Sequence, residues 1–252
     1  MFHLLHYPIF RNAKQASVLS TLAAFVTTTA MEPQVNQLPR TLYKADLRYS
    51  SEHFNRDDER DDAEWYSQPR FVQHIGDSAV ETLRAYYSTQ IQESDRVLDL
   101  CSSWTSHLPT DFRPKSVTGY GMNDAEMRAN RHLTSYHVKD LNKAPSLSEI
   151  GDAEVDVVIC SVSVDYLTQP LHVFREIGRC LKKGGTAHMA FSNRCFPTKV
   201  IRLWLRMSDE ERRRWIGGYF WESGLFVDVE EVILQKGGLS YDPMYIVRGV
   251  RA

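Results

Sequence analysis

The stretch Arg96-Val97-Leu98-Asp99-Leu100-Cys101-Ser102-Ser103-Trp104-Thr105-Ser106-His107-Leu108 decides the fold. Strand-favouring residues run into an acid and then into a loop of small polar residues, as when a buried strand of an α/β sheet presents its carboxyl end to a ligand. Outward from it, residues 116–121 read as a second strand and residues 136–140 as a brief third, ending in Asp140. Asn123 is placed to cap a short helix over 124–130 between them. Residues 155–160 are nearly continuous in apolar and β-branched side chains, the pattern of a parallel strand buried on both faces, and are expected beside the first strand. Pro170 opens a helix with Leu171, Phe174, Ile177 and Leu181 at helical spacing and Gly184-Gly185 as its stop, and residues 186–191 form the next strand. A helix over 198–207 and a capping-box start at Ser208-Asp209-Glu210-Glu211 follow, the second helix reaching Gly217 with Arg212 to Arg214 as its solvated face. Residues 227–234 and 244–250 are expected as an antiparallel pair at one edge, because Gly237-Gly238 leaves no room for a crossover helix.

The chain has 252 residues with 30 basic and 32 acidic side chains, a formal net charge of −2. That length suits one sizeable α/β domain, and that balance supplies no overall field for nucleic acid or an anionic membrane, so a small molecule is the expected ligand. The four cysteines form no C-x-x-C pair and no zinc-like spacing with histidine, so no metal site is expected. Residues 1–44 read as a targeting segment or a disordered extension: no acid precedes Glu32, and Arg11 and Lys14 lie among Ser, Thr and Ala, as in mitochondrial or plastid transit peptides. Met31 as a later start, with a cytoplasmic protein, is the alternative. The apolar core at 22–26 is far below the roughly twenty residues of a membrane span. Residues 45–95 read as a linker and an N-terminal lid helix. The ionic run at 46–64 is expected to be a solvated linker without chemistry, and the first forty residues are expected to add nothing to the fold. Tyr66, Arg70 and Phe71 then precede a helix capped by Asp77 or Ser78, either as a hydrophobic latch or as the closure of a ligand pocket.

The order of elements, and in particular Val155-Asp156-Val157-Val158-Ile159, the helix from Pro170 running into Leu181-Lys182-Lys183-Gly184-Gly185, and Asp242-Pro243-Met244-Tyr245-Ile246-Val247, resembles class I S-adenosylmethionine-dependent methyltransferases over residues 96–252. More narrowly, residues 66–74, 99–107, 162–167 and 191–196 look like a plant, algal and bacterial branch of methyltransferase-like proteins. The resemblance implies a Rossmann-like α/β fold with a mostly parallel sheet, an antiparallel edge strand and helices on both faces. It further implies S-adenosylmethionine as cofactor and methyl transfer to a small-molecule acceptor. The alternative is a binding or scaffold protein of the same fold that has lost the cofactor. Two departures stand out. Where the family follows its first strand with Gly-x-Gly-x-Gly, this chain has Cys101, Ser103 and Thr105. Where the family ends its second strand in an acid for the ribose hydroxyls, this chain has Gly121, leaving Asn123 to take over that bonding. Asp140 stands where the family contacts the adenine amino group.

The resemblance and the strand ends together give Tyr66, Arg70, Asp99, Cys101, Ser102, Ser103, Asn123, Asp140, Leu141 and Ser161 as cofactor-facing candidates. Asp99 is also expected to brace the loop as acceptor for its hydroxyls. From Asp99 to His107 there is no glycine, lysine or arginine, which argues against a pyrophosphate and is acceptable company for a cationic sulfonium. His107, Asp165, Tyr166, Asn193 and Arg194 follow strand ends and are the candidates for the acceptor side. Methyl transfer requires no fixed triad, since holding the acceptor in line supplies most of the acceleration.

Overall fold

In the computed structural model, which describes residues 32–43 and 49–252, the chain forms one eight-stranded sheet. The strands are β1 Gln34–Gln37, β2 Arg96–Leu100, β3 Ser116–Gly121, β4 Ser135–Val138, β5 Val155–Ser161, β6 Leu181–Phe191, β7 Phe226–Gln235 and β8 Met244–Arg251. Their order is β1-β7-β8-β6-β5-β2-β3-β4. Pairs from β6 through β4 are parallel, while β8 lies antiparallel between β6 and β7. The chain builds outward from β2 through β3 to β4 and then returns to lay β5 on the other side of β2. That reversal opens a crevice at the carboxyl ends of β2 and β5.

Alternation along the central strands feeds two cores. Leu98, Leu100, Val158 and Cys160 face α4 Pro170–Cys180 and α5 Asp209–Ser223, where Phe174, Ile177, Ile216 and Phe220 are buried. Val97, Val157 and Ile159 face the other way, onto Val80, Leu83 and Tyr87 of α2 Asp77–Gln90. This two-sided burial is why β5 is apolar almost without interruption. The α/β class, the mostly parallel sheet with antiparallel strands toward one edge, and the helices on both faces agree with expectation. So do Asn123 as a cap, accepting from Glu126 N at 3.1 Å, and the capping box at Ser208.

Several expectations need correction. Residues 34–38 do contribute to the fold: β1 pairs antiparallel with β7 and becomes the true edge, and Leu38 is buried behind it. Four short residues without alternation carried no strand signal. The targeting reading of residues 1–31 lies outside the described residues. The described part of the ionic run, 49–64, is not a solvated linker, because Arg56 and Asp62, the first residue of the short helix α1 Asp62–Trp65, are buried in it as an ion pair at 2.8 Å. Helix α2 is capped by Gly76 rather than Asp77 or Ser78. In place of a helix over 198–207 there is only a 3-10 turn, Arg202–Arg206. Helix α5 runs on to Ser223, and Arg213 is buried against Glu231 at 2.7 Å rather than solvated. A lone arginine pattern cannot show that a strand places an acid across from it. Among the described residues no helix is long and apolar enough to cross a membrane, and no cluster of potential metal ligands occurs.

A chain beginning at Tyr49 lacks β1 and Leu38. Burying one leucine is worth roughly 1.5–3 kcal/mol, and at this size each kcal/mol moves Tm by about 2–4 °C, so calorimetry should show the shortened chain melting roughly 3–12 °C earlier. Coincident transitions would mean that the edge strand adds nothing.

Candidate active site

The crevice widens into a cleft of about 300 Å³. Cys101, Ser102 and Ser103 border it after β2, Gly121 and Asn123 after β3, Asp140 and Leu141 after β4, and Val162 and Ser163 after β5. Tyr66 and Arg70 close it from the N-terminal side, and Tyr166, Arg194 and Phe196 complete the far wall. Two lining residues hold left-handed backbone, Cys101 at φ 53° and Val162 at φ 55°. For a β-branched residue such as Val162 this is a true outlier, the kind of strain that persists where the surroundings fix it.

Cys101 is the position at which the glycine pattern would begin, and it keeps the backbone that glycine favours. Ser103 and Thr105 do not adopt positive φ and need no glycine here. The loop is held by side chains instead. Ser102 Oγ and Ser106 Oγ both donate to Asp99 Oδ2 at 2.6 Å. Asn130 Nδ2 donates to Ser103 O and Ser106 Oγ, each at 2.9 Å, and Ser102 N donates to Tyr120 O at 2.7 Å. Asp99 therefore turns into the loop and not into the cleft, which corrects its cofactor-facing assignment and agrees with its bracing role. Burial pushes its carboxyl up to about 6, against the pull of the two hydroxyls.

The same loop explains Gly121. A Cβ there would run into the backbone oxygen of Ser102 and lie 2.5 Å from Met127 Sδ, so no side chain fits. Asn123 Nδ2 donates to Tyr66 O and Ser67 O, which commits both of its amide protons to the N-terminal wall, and its Oδ1 caps α3 Asp124–Ala129. Glu126, which the sequence reading passed over, borders the cleft while nine-tenths buried. Its position three residues past a recognised cap was the available signal. Asp140 accepts from Asn142 N at 2.8 Å through Oδ1, while Oδ2 is buried in the cleft wall with no partner among the described residues.

Four further candidates are not at the cleft. Ser161 is bonded to Tyr87 Oη at 2.9 Å, drawn to the α2 face by strand alternation. His107 is buried beneath the loop, where desolvation lowers its pKa to about 4. Asp165 faces inward from the turn after β5, and burial raises its carboxyl to about 7. Asn193 is exposed outside the cleft. Tyr166 and Arg194 do border it, Tyr166 Oη accepting from Phe196 N at 2.7 Å and Arg194 pairing with Asp242 at 2.8 Å.

The N-terminal wall is anchored by charge. Asp62 receives Arg56 Nη1 at 2.8 Å, Lys199 Nζ at 3.0 Å and Asn142 Nδ2 at 3.1 Å. Burial alone would raise the Asp62 carboxyl, but these donors hold it below the ordinary carboxylate range. Lys199 is itself buried and donates to Arg60 O at 2.7 Å. Just beyond, the Arg70 guanidinium lies 5.3 Å from the Trp65 ring centroid and 5.8 Å from that of Phe196, donating to Trp65 O at 2.9 Å. No carboxylate pairs with it among the described residues.

A sheet of this order with its crevice at the β2/β5 switch point is the class I methyltransferase fold. Residues 101–189, from the loop after β2 into β6, match the family model described as a methyltransferase domain. The S-adenosylmethionine-dependent methyltransferase of Archaeoglobus fulgidus is 14% identical with a TM-score of 0.50, covering 68% of this chain and 94% of that one. A protein from Pyrococcus horikoshii is 20% identical (TM-score 0.48; 75% and 99% covered), and an S-adenosylmethionine-dependent methyltransferase from Mesorhizobium loti 16% (0.46; 69% and 99%). No curated protein matches the sequence.

Asp99 gives a pH test with a definite sign. Its folded pKa of about 6 lies above the ordinary value near 3.9, so the fold binds the extra proton. The resulting stabilisation is complete below about pH 4 and lost as pH rises through about 6, amounting to roughly 2–3 kcal/mol. Asp99→Asn removes this dependence. Denaturant titrations should therefore show the wild type losing stability relative to the variant between pH 4 and 7, and a constant difference would contradict the buried, proton-binding carboxyl.

Proposed function

We propose that the chain binds S-adenosylmethionine in this cleft and transfers its methyl group to a small-molecule acceptor. The observation that carries the reading is Asp140 Oδ2: a buried carboxylate oxygen without a donor is costly, and the exocyclic amino group of adenine supplies one. The matched methyltransferase domain and the fold support the same cofactor.

Several residues fit such a ligand. Asp140 and Leu141 would border the adenine, Cys101 to Ser103 the backbone-lined centre, and Arg70, with its side-chain charge unpaired, the amino-acid carboxylate. The loop offers hydroxyls and carbonyls without a cation, so it does not repel a positively charged sulfonium. When bound, S-adenosylmethionine supplies an electrophilic methyl group. The protein's part is to hold the acceptor and keep out water. Tyr66, Tyr166 and Phe196 provide an aromatic wall, and Arg194 at the rim stands beside them with its charge shared by Asp242. That wall suits a small acceptor with an apolar face. Neither His107 nor Asn193 is placed to take a proton from it, and Tyr166 Oη is already an acceptor for Phe196 N.

Calorimetry with S-adenosylmethionine and S-adenosylhomocysteine tests the reading, and the absence of heat at millimolar ligand would end it. Asp140→Asn keeps the shape but turns one acceptor into a donor. It should weaken binding by about 2- to 13-fold, the equivalent of 0.5–1.5 kcal/mol, with Tm nearly unchanged. The organellar address read from the N-terminus belongs to the same proposal. Residues 1–31 fused to a fluorescent protein should carry it to a mitochondrion or plastid, and a diffuse cytosolic signal would refute that part.

A further inference from the structure

The cleft has no acid at the end of β3 and cannot have one, because Gly121 faces Ser102 O and Met127 at distances that exclude a Cβ. Asn123 gives both amide protons to the lid carbonyls and its Oδ1 caps the helix, which leaves it one neutral acceptor position, too few for a diol. One turn further along the chain Glu126 borders the same wall, 9% exposed. Its Oε1 accepts from the backbone N of Arg70 at 2.6 Å, and its Oε2 accepts from Ser103 Oγ at 2.5 Å. Each carboxylate oxygen has two lone pairs, so one acceptor position remains on each. Both current partners are donors, which leaves the group suited to receive two more.

On the reading that the cleft takes S-adenosylmethionine, we propose that Glu126 binds the ribose hydroxyls, a carboxylate from α3 replacing the one excluded at the strand end. A vicinal diol offers two O–H donors, matching the two free positions. Because the same carboxylate holds the lid at Arg70 and the loop at Ser103, the sugar would close a junction among three segments that no other side chain among the described residues hydrogen-bonds together. A ligand with its ribose intact should tighten the lid, and one lacking a hydroxyl should tighten it less.

The test is a cycle with two ligands and two proteins: S-adenosylhomocysteine and its 3′-deoxy analogue, each titrated into wild type and Glu126→Gln. Wild type should lose at least about tenfold in affinity when the hydroxyl is removed, the size expected for a hydrogen bond to a charged group. The variant should bind S-adenosylhomocysteine correspondingly more weakly but lose less than about threefold with the analogue, since its hydroxyl-specific contact is already weakened. Equal losses in both proteins would overturn the assignment while leaving the cofactor reading intact. No binding of S-adenosylhomocysteine to wild type would overturn the cofactor reading and this one with it. If Glu126→Gln does not fold, Glu126→Asp serves in the same cycle, the shorter side chain reducing the sensitivity to the hydroxyl and an unreduced sensitivity counting against the proposal. Tryptic cleavage after Arg70 supplies a second readout: S-adenosylhomocysteine should protect that bond in wild type more than the analogue does, and equal protection would refute the coupling to the lid.

Discussion

The arrangement depends on one carboxyl group accepting hydrogen bonds from two hydroxyls. Asp99 stands at the end of the central parallel strand, and Ser102 and Ser106 bend back to it. These bonds let a loop without glycine turn sharply at Cys101, where an ordinary residue resists the left-handed conformation. The turn then presses Ser102 onto β3, closes the space at Gly121 and directs Ser103 toward Glu126. The shape of the cofactor side of the cleft thus follows from a local exchange of backbone freedom for side-chain bonding.

The opposite wall is built on a different principle. Asp62, Arg56 and Lys199 are withdrawn from water together, and they survive there because every charge has a partner. Asn142 ties this cluster to the segment carrying Asp140, since its side chain reaches both Asp62 and Tyr166 O. The N-terminal wall and the far wall are therefore set relative to the sheet by bonds that meet at one amide.

The sheet and its carboxyl-end cleft were legible because burial on two faces imposes a plain pattern on β2 and β5, and because cap and stop residues act locally. Cys101, Ser102, Ser103, Asn123, Asp140 and Leu141 share one cleft as the strand-end argument expected, and Tyr66 and Arg70 line it as the closure reading of the N-terminal segment expected. What stayed hidden was set by distant partners. Nothing near Arg56 or Asp62 announces Lys199, and nothing in residues 34–37 announces the exposed edge of β7. Ser161 and His107 were misplaced for a related reason: following a strand end does not say which side of the loop a side chain takes, and alternation and the turn at His107 carried both away from the cleft.

The contact between Gly121 and Ser102 O also bears on how such a cleft could have arisen by single changes. Placing an acid at 121 while the present loop remains would drive a side chain into a carbonyl, and opening the loop with glycines while Gly121 remains would leave the wall without either its brace or its acid. Each half-way chain is worse than both ends, a strong non-additivity of neighbouring positions.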